Sequence, residues 1–439
     1  MQELKDLMRN FGVVGAGGAG FPSYAKLAEG ANLLLINGSE CEPLLYTDYV
    51  ILKNELDMVL TGITAVLSHT GIPKAIVALK EHTAKRLGMR DGDRLADKIF
   101  VKALPDVYPI GDEVGLIYEA TGRLVKPGKL PITEGVIVYN VETMYNLGNA
   151  VRFSKPVTEK WLTVGGAVNS PTVIKVPVGT KVADIFNELG IEVGDDYTVL
   201  DGGPSMGKII NQHTGVVTKT TKGILILPND TQAIISKKMN PDMAIARAET
   251  ACCQCTRCTD MCPRNLLGYP LEPHKMVRTA MGAVEAMPEM VLSATLCCGC
   301  GICESLACSQ GISPRAVIDN YKKLLAKNKL RFNSQGEYSV RSEREYRMVP
   351  YKKWMSMLGV SKFDKIAELG GEINSLERVE IPLSGHIGVP SVPVIKDGAM
   401  VTKGEEIATG AEGLSLPQHA SISGRATIGS NKIIIDRVR

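Results

Sequence analysis

Apolar and polar positions change their period several times along the chain, and each change marks a new kind of element. Leu4, Leu7, Met8 and Phe11 fall on one helical face, while Asn32–Ile36, Ala75–Leu79, Ile99–Leu104 and Val136–Tyr139 read as short buried strands. A helix is predicted from Asp48 to about His69. Strands and helices in this alternation predict an open α/β sheet over residues 1–155. From Pro156 to about Leu227 the pattern turns to short alternating strands, Trp161–Val164, Thr172–Val176 and Thr198–Leu200, around one predicted helix, Val182–Leu189, with a turn at Gly202, Gly203 and Pro204. Strand pairs about a single helix suggest a β-grasp. Beyond it, Met276, Val277, Ala280, Ala283, Val284 and Met287 keep helical spacing. Tyr321 to about Ser375 is rich in lysine, arginine and glutamate and reads as a helix followed by a linker. The remainder, from Val379, shows short strands punctuated by glycine.

Cysteine supplies the first chemistry. Ten of the eleven cysteines lie between Cys252 and Cys308. Cys252, Cys255, Cys258 and Cys262, followed by Pro263, match the C-x2-C-x2-C-x3-C-P run of bacterial ferredoxins, in which the fourth thiolate serves the other cluster. Cys297, Cys300, Cys303 and Cys308 repeat the run with one extra residue before the last cysteine, and Ser309 stands where proline would. Crossing the fourth cysteines gives one cluster on Cys252, Cys255, Cys258 and Cys308, and the other on Cys297, Cys300, Cys303 and Cys262. C-x2-C pairs also build zinc sites, but triple x2 spacing plus a distant fourth, occurring twice, suits two [4Fe-4S] clusters better. With no apolar secretory segment at the start, a reduced cytoplasmic setting is expected in place of a disulfide framework. Cys253 and Cys298 read as packing residues beside the ligands.

Size and charge then narrow the class. A chain of 439 residues implies two to four domains, and 50 basic against 47 acidic residues give no reason to expect nucleic acid. The longest apolar runs, such as Leu33–Ile36 and Ile224–Leu227, fall far short of the ~20 residues that cross a bilayer. None of the six histidines pairs with another at ligand spacing.

Polar residues gather where the predicted strands end. Gly12, Gly15, Gly17, Gly18 and Gly20 precede Phe21 and Pro22, a density that lets backbone amides approach a phosphate. Lys26 follows; Asn37, Gly38, Ser39, Glu40, Cys41, Glu42 and Pro43 come after the first strand; Tyr108 to Glu113 and Asn140 to Thr143 follow later ones. Cofactors in open α/β sheets lie outside the carboxyl ends of strands, so these segments form one candidate site. Cys41 reads as packing beside it.

GAGGAGFP at 15–22, NGSECEP at 37–43, YPIGDE at 108–113 and NVET at 140–143 together resemble the FMN- and NADH-binding subunit of respiratory complex I. They are still more similar to the C subunit of Rnf complexes and to the PduS-type cobalamin reductases of propanediol microcompartments. The resemblance implies that Gly17, Gly18, Lys26, Asn37, Ser39, Glu40, Gly111, Asp112 and Asn140 hold FMN, with Gly15 and Gly20 shaping the loop. It sets Phe21, Glu42 and Glu113 against the nicotinamide nucleotide. Ala16 and Ser39 depart from the arginine and aspartate of the complex I subunit. Carboxylates at Glu40, Glu42, Asp112 and Glu113 would repel an extra ribose phosphate and favour NADH over NADPH.

The rest of the likeness implies the fold class: an α/β multidomain chain with a Rossmann-like FMN/NADH domain at 1–155 and a β-grasp domain of the soluble-ligand-binding (SLBB) type at 156–230. A dicluster ferredoxin-like helical domain at 231–330, a helix and linker at 331–376 and a barrel-sandwich hybrid at 377–439 complete it. The β-grasp motif is DGGPSMG at 201–207, and a spacer role is expected for it. The hybrid resembles lipoyl carriers without the carrier lysine, and it comes last here although it comes first in the Rnf subunit.

NADH delivers electrons in pairs and cubanes accept them singly, so a flavin between them is chemically required. The expected activity is therefore NADH oxidation through FMN and two [4Fe-4S] clusters to an acceptor outside the chain, a corrinoid by likeness to PduS. Two rivals remain: an electron-input subunit for a partner such as a folate reductase or an Rnf pump, and a relay module without a nucleotide site. An adenosyltransferase or reductase subunit is the expected protein partner, oligomerisation is open, and the expected location is the cytoplasm, a bacterial microcompartment or the periphery of a complex.

Overall fold

The computed structural model describes residues 1–282 and 288–438. Its first sheet has five strands in the order Arg94–Ala96, Ile99–Leu104, Ala75–Lys80, Leu33–Asn37 and Val136–Asn140, parallel except for the Arg94–Ala96 edge. Alternation within each strand feeds two cores. Leu34, Ile36, Val77 and Tyr139 pack on one face, and Leu33, Leu35, Ile76 and Val138 on the other. The helix expected from Asp48 to His69 is two helices, Thr47–Asn54 and Leu56–Thr70, separated at Glu55. The break frees the second to lie against the helix Val141–Phe153.

That helix pair crosses on glycine. A Cβ added at Gly62 would stand 2.0 Å from the Met144 carbonyl oxygen, and one at Gly148 would stand 2.1 Å from that of Met58. Neither backbone atom can swing aside as a side-chain tip could.

A second sheet of six strands runs Lys208–Ile210, Tyr197–Asp201, Gly223–Pro228, Glu159–Gly166, Thr172–Pro177 and Glu368–Glu372. Its two central strands, Gly223–Pro228 and Glu159–Gly166, are parallel, and Val182, Ile185 and Phe186 of the helix Val182–Leu189 belong to its core. The same core takes in Val379, Ile381, Ile407 and Ile433 from the C-terminal strands, which form one four-stranded and one three-stranded sheet.

The segment read as a linker is structured. Val349–Pro350 pairs with Val107–Tyr108 of the first domain, Tyr351–Leu358 is helical, and Glu368–Glu372 adds the sixth strand beside Thr172–Pro177. The helix predicted near Tyr321 runs from Pro314 to Lys327. Of the positions assigned to helices between the cysteine runs, Met276, Val277 and Ala280 lie in Pro273–Ala280; Ala283, Val284 and Met287 lie outside the described residues.

Replacing a helical glycine by alanine ordinarily gains up to ~1 kcal/mol. At Gly148 the overlap with Met58 reverses the sign, and Gly148→Ala is expected to lower the unfolding free energy by about 1–3 kcal/mol, read as a lower urea midpoint at unchanged slope.

Candidate flavin and iron-sulfur site

The two strands that end the site are in register, so Asn37 and Asn140 stand side by side at their carboxyl ends. Asn37 donates to the Gly111 carbonyl at 3.0 Å, and its own amide oxygen accepts from the Ser39 N–H. Asn140 caps the helix Val141–Phe153 by accepting from the Glu142 N–H at 3.0 Å. The glycine loop lies over this pair: a Cβ at Gly17 would meet Asn140 at 3.5 Å, and the Ala16 N–H donates to Thr143 at 3.0 Å. Gly18, at φ +106° and exposed, takes a backbone that side chains rarely adopt. Gly15 donates to the Phe21 carbonyl and closes the loop, while Gly20 packs beneath Thr220. Two helix amino ends, beginning after Asp112 and Asn140, therefore flank a glycine-lined rim.

The predicted acids do not face this rim as free charges. Glu113 pairs with Lys26 at 2.8 Å, on a 3-10 turn at Ser23–Lys26, and Asp112 pairs with Arg264 at 2.7 Å. Glu40 accepts from the Asp48 and Tyr49 amides. Glu42 is buried, accepting from Tyr108 and, at 2.8 Å, from the Ser205 N–H. Ser39 is buried too, its hydroxyl turned to the Ala78 carbonyl. Each of the four acids expected to disfavour an extra ribose phosphate thus has a partner in the fold. Cys41 is buried against Gly111, and burial pushes its thiol up to about 12.

Behind the rim lies a set of charges that periodicity gave no reason to expect. Asp48 pairs with Lys222, Lys222 reaches Glu142 at 3.5 Å, and Glu142 pairs with Lys160; all four are buried. Burial works against the charge of Lys222, yet Asp48 and Glu142 hold it above the ordinary lysine range, whereas burial outweighs Glu142 at Lys160 and lowers it. Asn140 joins the set by donating to Asp48 at 2.8 Å.

The cysteines form two quartets. One pocket is lined by Cys252, Cys255, Cys258 and Cys308, and burial together with Cys308, Cys255 and Cys252 pushes the Cys258 thiol up to about 12. Cys300 lies among Cys298, Cys262 and Cys303, and Cys303 among Cys297 and Cys262. Each fourth cysteine thus sits with the opposite run. Among the described residues no three His, Cys, Asp or Glu side chains close on a single ion; a cubane is a larger body and keeps its ligands apart.

The runs share their backbone. Gln254 (φ +57°) and Thr256 (φ +61°) occupy the places of Gly299 (φ +73°) and Gly301 (φ +81°). Such turns aim successive amides at one point, the concavity that suits an anionic cluster. The extra residue before Cys308 is absorbed by a π-helical turn at Cys303–Ala307, where the first run has an α-turn at Arg257–Asp260.

Residues 8–149 match the Nuo51 FMN-binding domain family, 251–313 the 4Fe-4S dicluster domain and 366–433 the RnfC barrel sandwich hybrid domain. The chain is 38% identical to the cobalamin reductase PduS of Salmonella typhimurium strain LT2, over 98% of its own length and 96% of the relative's. The chain belongs to the PduS cobalamin reductase family. The PduS of Citrobacter freundii is 37% identical over 96% of this chain and 94% of its own. A third relative, from the proton-translocating ferredoxin:NAD(+) oxidoreductase complex of Clostridium ljungdahlii, is 31% identical over 61% of this chain and 57% of its own. This member of the family is accordingly an iron-sulfur flavoprotein, an oxidoreductase built for FMN and two [4Fe-4S] clusters. Among the described residues no helix is long and apolar enough to cross a membrane.

The strand-end motifs of the first domain and the cysteine runs meet through one wall. Tyr108 donates to the Cys300 carbonyl at 2.7 Å and stacks on Trp354 at 4.6 Å. Trp354 donates to Ser205 at 3.0 Å, and Arg315 and Lys237 both donate to the Ser205 carbonyl. Gly203 must be glycine here, since an added Cβ would stand 2.4 Å from that of Glu42. DGGPSMG is therefore a junction. Its glycines were visible in the sequence; the partners of Ser205 come from four distant segments.

Burial first, then Asp48, raises Glu40 to about 7 against an ordinary 4.5. The folded protein without flavin then keeps a proton that the unfolded chain has released, so this contribution to stability is complete below pH 4.5 and lost as the pH rises through 7. Titrating the flavin-free protein with urea across that window should show stability falling, and Glu40→Gln should flatten the fall.

Proposed function

We propose that the protein oxidises NADH and passes the electrons, one at a time, through the quartet Cys262, Cys297, Cys300 and Cys303 and then the quartet Cys252, Cys255, Cys258 and Cys308 to a corrinoid. The observation that carries the reading is the hydrogen bond from Tyr108 to Cys300, because it joins the motif expected around FMN directly to a ligand of the inner quartet. Burial supports the order. Cys262, Cys300 and Cys303 are buried, whereas Cys255 is exposed.

When bound, FMN supplies the conversion of a hydride into single electrons. The chain's own residues orient it: Gly17 and Gly18 leave room, the helix ends behind Asp112 and Asn140 favour its phosphate, and Asn37 with Gly111 offers polar edges. Gly15, Gly20, Lys26, Ser39 and Glu40 complete the proposed set through loop shape and backbone. For the nicotinamide nucleotide we retain Phe21 and Glu113, whose side chain keeps 40% of its exposure, and set Glu42 aside because Tyr108 and Ser205 occupy it.

We read the first sheet as Rossmann-like over 1–155 and the second as a β-grasp of the SLBB type over 156–230. Its parallel central pair and single helix support that reading, and the Ser205 junction favours an orienting role over ligand binding. The dicluster domain spans 231–330, the connecting segment 331–376 and the barrel-sandwich hybrid 377–439. Corrinoid reduction rests on likeness to the PduS relatives, as does a place in a microcompartment. The likeness to the ferredoxin:NAD(+) oxidoreductase relative supports a second reading, electron input to a partner complex.

Anaerobic NADH added to the purified holoprotein should bleach flavin and cluster absorbance together, with eight irons and one FMN per chain, and added cob(III)alamin should then be reduced. Bleaching without corrinoid reduction favours the input-subunit reading. Zinc in both quartets, or bleaching by dithionite alone, would overturn the NADH route.

A further inference from the structure

Arg264 stands two positions after Cys262, in the short helix Pro263–Leu266, with only 13% of its side chain exposed. One end of its guanidinium is held by Asp112 at 2.7 Å, in the motif at 108–113 expected to carry flavin. Its Cζ lies 5.4 Å from the ring centre of Tyr269, whose hydroxyl donates to the Val125 carbonyl across the same interface. Cys298, between two ligands of the inner quartet, is within electrostatic reach of the guanidinium. Nε of Arg264 is buried and has no hydrogen-bond partner.

A buried N–H left unmatched is costly, and most such groups have an acceptor in the working protein. The acceptor we assign is sulfur of the inner quartet, whose ligand Cys262 lies two positions before Arg264. Guanidinium does not lose its proton, so its positive charge is fixed. A fixed charge in a dry site favours whichever state of a neighbour is more negative, and a cubane is more negative after it gains an electron. Hydrogen bonds to cluster sulfur act in the same direction.

We propose that Arg264 raises the reduction potential of the inner cluster, with Asp112 fixing the guanidinium, so that an electron leaving the flavin rests first on the quartet Cys262, Cys297, Cys300 and Cys303. Arg264 is on this account a positioning residue for charge, and the idea rests on the two-cluster reading above. The bland alternative is a brace between two domains, which would move stability and leave the potentials alone.

Redox titration of the holoprotein followed by electron paramagnetic resonance separates them. The outer signal is assigned through Cys255→Ser, which perturbs the exposed quartet. Arg264→Gln should make the inner cluster harder to reduce by at least tenfold in its one-electron equilibrium, a shift of about 59 mV to lower potential, with the outer cluster unmoved. Arg264→Lys, which keeps the charge without the planar fork, should restore part of the shift and serves if the glutamine variant fails to assemble. An inner potential unchanged in Arg264→Gln, an inner potential in Arg264→Lys as low as or lower than in Arg264→Gln, or both clusters moving together, overturns the proposal. A wild-type protein lacking two cluster signals would instead overturn the two-cluster reading.

Discussion

The buried charges Asp48, Lys222, Glu142 and Lys160 join the first sheet to the second, and the site depends on that join. Two acids and two bases alternate, so the set carries no net charge. Asn140 donates to Asp48 as well, and the Trp161 backbone N–H donates to Glu142 at 3.2 Å. Taking ions from water costs several kcal/mol apiece, and such a set repays that only when every member is matched. Its value here is one of position. Asn140 touches both Asp48 and the Asn37 carbonyl, so any slip between the two sheets would displace the residues beneath the glycine loop.

The second constraint is the junction at Ser205. One residue of a turn is contacted by Glu42 of the first domain, Lys237 and Arg315 of the helical region and Trp354 of the C-terminal segment. Four segments converging on one turn leave little freedom for the flavin-binding sheet to rotate against the clusters. Rigidity suits electron transfer, in which the protein's work is to hold redox centres at fixed separation.

Much of this was legible in the sequence, and the reasons are specific. Ile99–Leu104 and Val182–Leu189 are strand and helix where periodicity puts them, because each buries its apolar positions against a near neighbour in sequence. Cysteine spacing was decisive because ligand geometry fixes it. Glu368–Glu372 escaped notice because an exposed edge strand reading ELGGE has no alternation to detect. Lys160 and Lys222 escaped for the opposite reason: lysine in an apolar setting is ordinarily read as solvent-facing, and their partners lie far along the chain. The motifs that carry the four acids were visible in the sequence, but the engagement of those acids by Lys26, Arg264 and Tyr108 depends on tertiary contact.

The stacking of Trp354 on Tyr108 bears on how the molecule is made. Tyr108 belongs to a domain that leaves the ribosome before the cysteine runs do, yet it bonds to Cys300, 192 positions further on, and shares Ser205 with a tryptophan that is 149 positions beyond that serine. That domain therefore waits with one wall missing until the chain has been made as far as residue 354. Metal insertion into the inner quartet and closure of that wall become neighbouring late events, and truncation before residue 354 would strip the aromatic lid from a centre whose ligands are all already present.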